Sequence, residues 1–154
     1  HLFAVALIAL ASTAFAQDTW EWLGPEYTNT AVIAVDADGA IFIAGLYMGV
    51  QVSEDEGATW TPVDGPSAPT EMVATPIGTV VCTDNWNYGV CVTADKGATW
   101  DQVSVYAEDE WVSQLAVHPL TGDLYAAVNN EGGLHYSYDG AYHWQPVAAS
   151  PMCV

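Results

Sequence analysis

The chain has 154 residues, with 19 acidic side chains against one cation, Lys96, and a net charge of −18. Binding a nucleic-acid backbone requires several Lys or Arg side chains to displace condensed counterions, so nucleic acid is excluded as a partner, and anionic membrane surfaces are disfavoured for the same reason. The acidity reads as solubility in a saline exterior, and 13 Gly with 8 Pro fit many short strands joined by turns.

Residues 1–16 read as a secretory signal peptide. Leu2 to Ala11 is an uncharged apolar run, and after it comes the small-x-small processing site Ala14-Phe15-Ala16. The run falls short of the roughly 20 apolar residues that span a bilayer, so no transmembrane segment is expected in the mature chain. The sequence opens at His1 without a basic segment, which implies that its start lies upstream. The mature chain from Gln17 onward is about one domain in size, and its location is expected to be secreted, periplasmic or at the cell surface.

Residues 17–29 form an N-terminal segment. Within it Asp18-Thr19-Trp20-Glu21-Trp22-Leu23 echoes Ala58-Thr59-Trp60-Thr61-Pro62-Val63 further on. The echo predicts an isolated outer strand, one that could close a ring of sheets.

From residue 30 the chain repeats. Ser53-Glu-Asp55-Glu-Gly57-Ala-Thr59-Trp60 recurs as Thr93-Ala-Asp95-Lys-Gly97-Ala-Thr99-Trp100, and more weakly as Ser137-Tyr-Asp139-Gly-Ala141-Tyr-His143-Trp144. Each copy is preceded by strand-like runs: Val32–Val35, Ile41–Ala44 and Gly49–Val52, then Met72–Ala74, Val80–Thr83 and Gly89–Val92, then Val112–Val117, Leu124–Ala127 and Gly133–Tyr136. After each copy comes a short extended stretch ending in Val63, Val103 or Val147. β-Branched enrichment, turn punctuation and the lack of a sustained 3.6-residue period favour strands. Four strands recurring every ~40–45 residues are the sign of a propeller blade. The fold class is therefore all-β, a partial β-propeller of about three four-stranded antiparallel blades over residues 30–66, 70–104 and 111–148. Three blades are fewer than the usual closed ring, so further blades of the same chain are expected.

The repeated pattern has a structural task at the hairpin between the third and fourth strands. The Asp carboxylate can accept backbone N–H groups, Gly57 and Gly97 allow a left-handed turn, and the Trp covers it. Ala141 stands where a Gly is expected and Gly140 precedes it, so the third turn is expected to be shifted or less regular.

Cys82 and Cys91 flank a hairpin that would set them opposite each other, close enough to bridge. A disulfide and a pair of buried thiols both fit this spacing. Cys153 is left over, implying a partner in sequence beyond this chain.

The Ser/Thr-x-Asp-x-Gly-x-Thr-Trp pattern resembles the Asp-box, or BNR repeat. It is shared by sialidases, sortilin-type receptors, xyloglucan-cleaving glycoside hydrolases and photosystem II assembly factors. The resemblance covers about residues 30–147 and rests on Ser53, Asp55, Gly57 and Trp60, on Thr93, Asp95, Gly97 and Trp100, and on Ser137, Asp139 and Trp144. It implies a structural turn lying away from the ligand face, and a fold that does not fix activity. A sialidase resemblance would imply an arginine triad, which this chain lacks. A xyloglucanase resemblance would imply paired carboxylates, and no spacing singles out a pair, the dense Glu108-Asp109-Glu110 run reading as a solvated loop. The assembly factors would imply a basic docking patch, also without counterpart.

No cofactor and no metal are expected. His118, His135 and His143 lack ligand spacing, and Asp36-Ala37-Asp38-Gly39 reads as a strand-connecting turn and not a calcium loop. Opposite the repeated turns, the remaining loops carry Trp86, Tyr88, Tyr106 and Trp111, a mixture of rings and polar groups suited to glycan or protein recognition. The expected function is an exported, non-catalytic binding or scaffold module. The alternative is a fragment of a secreted glycoside hydrolase, xyloglucanase-like rather than sialidase-like.

Overall fold

The computed structural model describes residues 23–25, 30–84, 87–106, 111–129 and 132–147. Residues 1–16, expected to be a signal peptide, and Trp20, Trp86, the Glu108–Glu110 run and Cys153 lie outside them. Among the described residues twelve strands form three four-stranded antiparallel sheets, each in simple sequential order. The first holds β1 (Val32–Val35), β2 (Ile41–Gly45), β3 (Gly49–Ser53) and β4 (Thr61–Val63). The second holds β5 (Pro69–Ala74), β6 (Val80–Asp84), β7 (Asn87–Thr93) and β8 (Asp101–Val103), and the third β9 (Val112–Val117), β10 (Leu124–Val128), β11 (Gly133–Ser137) and β12 (Gln145–Pro146). No helix among the described residues is long and apolar enough to cross a membrane.

The sheets stack face to face. Strands β1, β5 and β9 stand side by side, so the first strand of each sheet is the inner one and the fourth lies outermost. Strand residues alternate between two faces, and both faces of the middle sheet are covered. Phe42, Val50 and Val52 of the first sheet pack against Met72, Val80, Cys82 and Cys91 of the second. On its other side Val81, Val90 and Val92 pack against Val112, Leu115, Leu124 and Ala126 of the third. The continuous apolar run of β6 has this cause: a strand between two sheets must be apolar on both sides. Phe42, Val81, Cys82 and Leu124 are fully buried.

Cys82 and Cys91 are cross-strand partners in the β6–β7 register. Both are buried free thiols in this structure, one of the two states their spacing allows.

The three repeated turns share one hydrogen-bond pattern. In the first, Gly57 N donates to Ser53 Oγ at 2.8 Å, Ser53 Oγ donates to Asp55 Oδ1 at 2.8 Å, and Asp55 also accepts Thr59 N at 2.8 Å and Thr59 Oγ1 at 2.6 Å. Thr93, Asp95, Gly97 and Thr99 repeat it. The third turn keeps it as well, which corrects the expectation of a shifted turn. Ala141 N donates to Ser137 Oγ at 3.0 Å, and Asp139 accepts His143 N at 3.0 Å and contacts His143 Nδ1 at 2.5 Å. Ala141 adopts φ 83°, beside 90° at Gly57 and 86° at Gly97. The shared network thus holds an alanine in a left-handed conformation that costs roughly 1–2 kcal/mol. The tryptophans Trp60, Trp100 and Trp144 are half-buried, not enclosed. Trp60 and Trp144 donate Nε1 to the carbonyls of Gly57 and Ala141, closing each turn at its base.

Candidate functional site

Two surfaces can be compared: the side that carries the repeated turns, and the side that carries the loops after the second and fourth strands. On the turn side a cleft of about 340 Å³ is lined by Asp36, Asp38, Ile77, Gly78, Ala94, Asp95 and Lys96. The side chains of Asp36, Asp95 and Lys96 in it are already engaged in holding the chain. Asp36 Oδ1 accepts Asp38 N and Ala40 N, as a strand-connecting turn requires. Asp95 holds its own corner, and Lys96 Nζ reaches Glu54 Oε2 at 2.6 Å on the neighbouring sheet.

Hydrogen bonds from Thr59 and Ser53 hold the Asp55 carboxyl below its ordinary value, and those from Thr99 and Thr93 do the same for Asp95. For Asp139 burial opposes the lowering, and the bonds from His143 and Ser137 prevail. These carboxylates are fixed as anions that accept backbone and side-chain donors. That suits a structural corner and not an acid catalyst, which needs a raised value.

The opposite side carries exposed rings at the seam between the second and third sheets. Tyr88, at the start of β7, lies with its ring centroid 6.0 Å from that of Trp111, just before β9, at a 50° tilt. Tyr88 is 41% and Trp111 48% exposed, so the pair presents ring surface to solvent although its members belong to different sheets. Gln102 Nε2 donates to the Tyr88 carbonyl at 3.1 Å, and the Trp111 carbonyl accepts Asn129 N at 2.9 Å. Both rings therefore project from tied backbone.

The connection leaving β8 carries Val105, buried in the seam, and Tyr106, whose ring stands 5.3 Å from His135 at 49°. Of the four residues singled out from the sequence, the structure brings Tyr88 and Trp111 together and turns Tyr106 to a different partner. Trp86 lies outside the described residues.

Sequence reasoning set His135 aside. It is 2% exposed, its Nδ1 is buried without a hydrogen-bond partner among the described residues, and burial lowers its pKa. Its signal was positional: it occupies the place of Gln51 and Cys91 in the repeat, where a side chain points at the preceding sheet.

A scan of family models finds no match, and no curated protein matches. Solved structures do. A xyloglucanase from Xanthomonas campestris superposes with a TM-score of 0.61 at 21% identity, over 79% of this chain and 24% of that one. YCF48 from Cyanidioschyzon merolae gives 0.60 at 15% identity, over 79% and 38%. A structure of YCF48 bound to D1 peptide gives 0.55 at 18% identity, over 82% and 41%. The chain is a partial β-propeller. Its three sheets are blades, and it spans less than half the length of these solved propellers. At such identities the likeness concerns the fold.

Proposed function

We propose that the repeated turns are Asp-boxes and that this propeller is an exported, non-catalytic binding or scaffold module. Its ligand, a glycan or a protein segment, is held on the loop side at the seam between blades 2 and 3. The observation that carries this reading is the exposed Tyr88–Trp111 pair, two rings from different blades on fixed backbone. Rings offer stacking surface to sugars and to extended peptides, and nearby polar groups orient them. That YCF48 has been solved with a peptide bound adds support for a protein ligand on such a scaffold. Export belongs to the same reading, with residues 1–16 as signal peptide and blades at about 30–66, 70–104 and 111–148.

The test is a glycan array and a peptide panel probed with the wild-type chain, Tyr88→Ala and Trp111→Ala. Loss of one ring should weaken the selected ligand about tenfold, equivalent to about 1.4 kcal/mol. Unchanged binding by both variants rejects the site.

A second reading, a fragment of a secreted xyloglucan-cleaving hydrolase, draws on the likeness to the Xanthomonas enzyme, of which this chain spans 24%. Xyloglucan hydrolysis by the longest natural polypeptide containing this sequence would favour it. Ligand binding without hydrolysis would favour the first.

A further inference from the structure

The side that carries the repeated corners also carries the turns that join the first and second strands of each blade. Each of these turns holds itself through its first residue and its backbone. Asp36 Oδ1 accepts Asp38 N and Ala40 N, Thr75 Oγ1 accepts Thr79 N at 3.1 Å, and His118 Nδ1 accepts Thr121 N at 3.2 Å. Gly39 N, Gly78 N and Gly122 N close them on the carbonyls of Asp36, Thr75 and His118. The third residue of each turn, Asp38, Ile77 or Leu120, contributes no side chain to these bonds. Such free tips are ordinarily polar, as Asp38 is. Ile77 is nevertheless 63% and Leu120 89% exposed.

Their exposure is not that of an open flank. Ile77 stands out although blade 3 packs on blade 2, as Asp38 does although blade 2 packs on blade 1. The tips adjoin across the blades: a Cβ built on Gly122 would meet Pro76 Cδ at 3.0 Å, and one built on Gly140 would meet Ile77 Cδ1 at 3.1 Å. Tyr138, two residues before Gly140 and 62% exposed, extends the patch where the other corners have Glu54 and Ala94. Apolar side chains gathered in solvent, with no task in the fold, mark an interaction surface.

Beside this apolar half the same side is acidic. The cleft of about 340 Å³ is lined by Ile77 and Gly78 together with Asp36 and Asp38, so it joins the two halves. It already draws a cation: the hydrogen bond to Glu54 raises the Lys96 pKa most, and Asp38 and Asp36 add to it. We infer that the turn side is a second docking surface, for a protein segment that sets an aliphatic or aromatic side chain on Ile77 and Leu120 and a lysine or arginine in the cleft beside Asp38. The apolar contact supplies affinity, and the carboxylates orient the segment and repel acidic competitors. A second copy of this chain does not fit, because it has no arginine and its one lysine is held by Glu54. A bilayer fits less well, since anionic headgroups would face Asp36 and Asp38. The inference is independent of the loop-side reading, because it uses neither Tyr88 nor Trp111.

Fluorescence anisotropy tests it with a labelled leucine–lysine peptide in amphipathic order, a version with glutamate for lysine, and a version with serine for leucine. The leucine–lysine peptide should bind, the glutamate version should not, and the serine version should bind more weakly. Replacing both tips, Ile77→Ser with Leu120→Ser, should lower affinity for the leucine–lysine peptide about tenfold, equivalent to about 1.4 kcal/mol. Asp38→Asn should lower it about threefold and flatten its dependence on salt. The turns hold without these side chains, so thermal unfolding of the variants should match wild type, and the peptide series on the wild-type chain decides the matter if it does not. No binding of the leucine–lysine peptide, equal binding of the glutamate version, affinity indifferent to the tip replacements, or binding to phosphatidylcholine vesicles that is lost with Ile77 and Leu120 would each overturn the inference.

Discussion

Tyr88 and Trp111 meet across a blade boundary, their ring centres 6.0 Å apart, because the residue after Tyr88 has no side chain. Gly89 sits at φ 83°, and a Cβ there would stand 2.2 Å from the Val103 carbonyl oxygen. Strand β7 thus runs close beside β8 in its own sheet, which fixes where the Tyr88 ring emerges.

Gly89→Ala should therefore be costly. Left-handed strain and displacement of a backbone carbonyl together amount to about 2–5 kcal/mol. Chemical denaturation should show that loss, with ligand binding on the loop side weakened in the fraction that remains folded.

Thr93 tests the corner from its buried hydroxyl, which also donates to Asp95 Oδ1 at 2.8 Å. Its Oγ1 is buried and accepts Gly97 N at 2.9 Å. Thr93→Val keeps the shape and leaves that N–H unpaired, at a cost of about 1–3 kcal/mol, whereas Thr93→Ser should come close to wild type. Equal stability of the two variants in thermal unfolding would contradict the assigned role.

Stability should fall on acidification in two stages. Burial depresses the His135 pKa in the fold, so the unfolded chain takes up the proton first, and stability declines as pH drops below the unfolded value of about 6.5. The carboxyls of Asp55, Asp95 and Asp139 are also depressed. Their contribution is present above the unfolded value of about 3.9 and is lost as pH falls through and below it. Melting temperatures across pH should show both limbs, and His135→Gln should remove only the first.

The cysteines give a further check. The hydrogen bond to Cys91, with burial, pushes the Cys82 thiol well up, while the same bond lowers Cys91 against the opposing effect of burial. Neither is accessible in the fold, so a polar alkylating reagent at pH 8 should label neither until the chain is denatured, and then both. Resistance to labelling after denaturation would mean that oxidation had joined the pair.

Much of this architecture was legible in the sequence because the repeat carries it. Ser53, Asp55, Gly57 and Trp60 recur with their flanking strands, and a motif that makes its own hydrogen bonds locally can be read locally. Ala141 misled because side-chain identity suggested a shifted or less regular turn, while Ser137 and Asp139 hold the conformation regardless. Tyr106 was legible as an exposed ring but not as the neighbour of His135, since that contact depends on how two blades stack. The burial of His135 was hidden for the same reason: a polar residue in an alternating strand does not announce which side faces a neighbouring sheet.

Lys96 is the one lysine in a chain without arginine, and it stands in the second corner at φ 57° with its ammonium on Glu54. Trypsin, which cuts after lysine and arginine, thus has a single bond to attack, in a tight hydrogen-bonded loop that does not offer the extended backbone a protease cleft requires. Digestion should await the opening of the middle blade and then yield two fragments, making the rate of one scission a direct clock for the breathing of that blade.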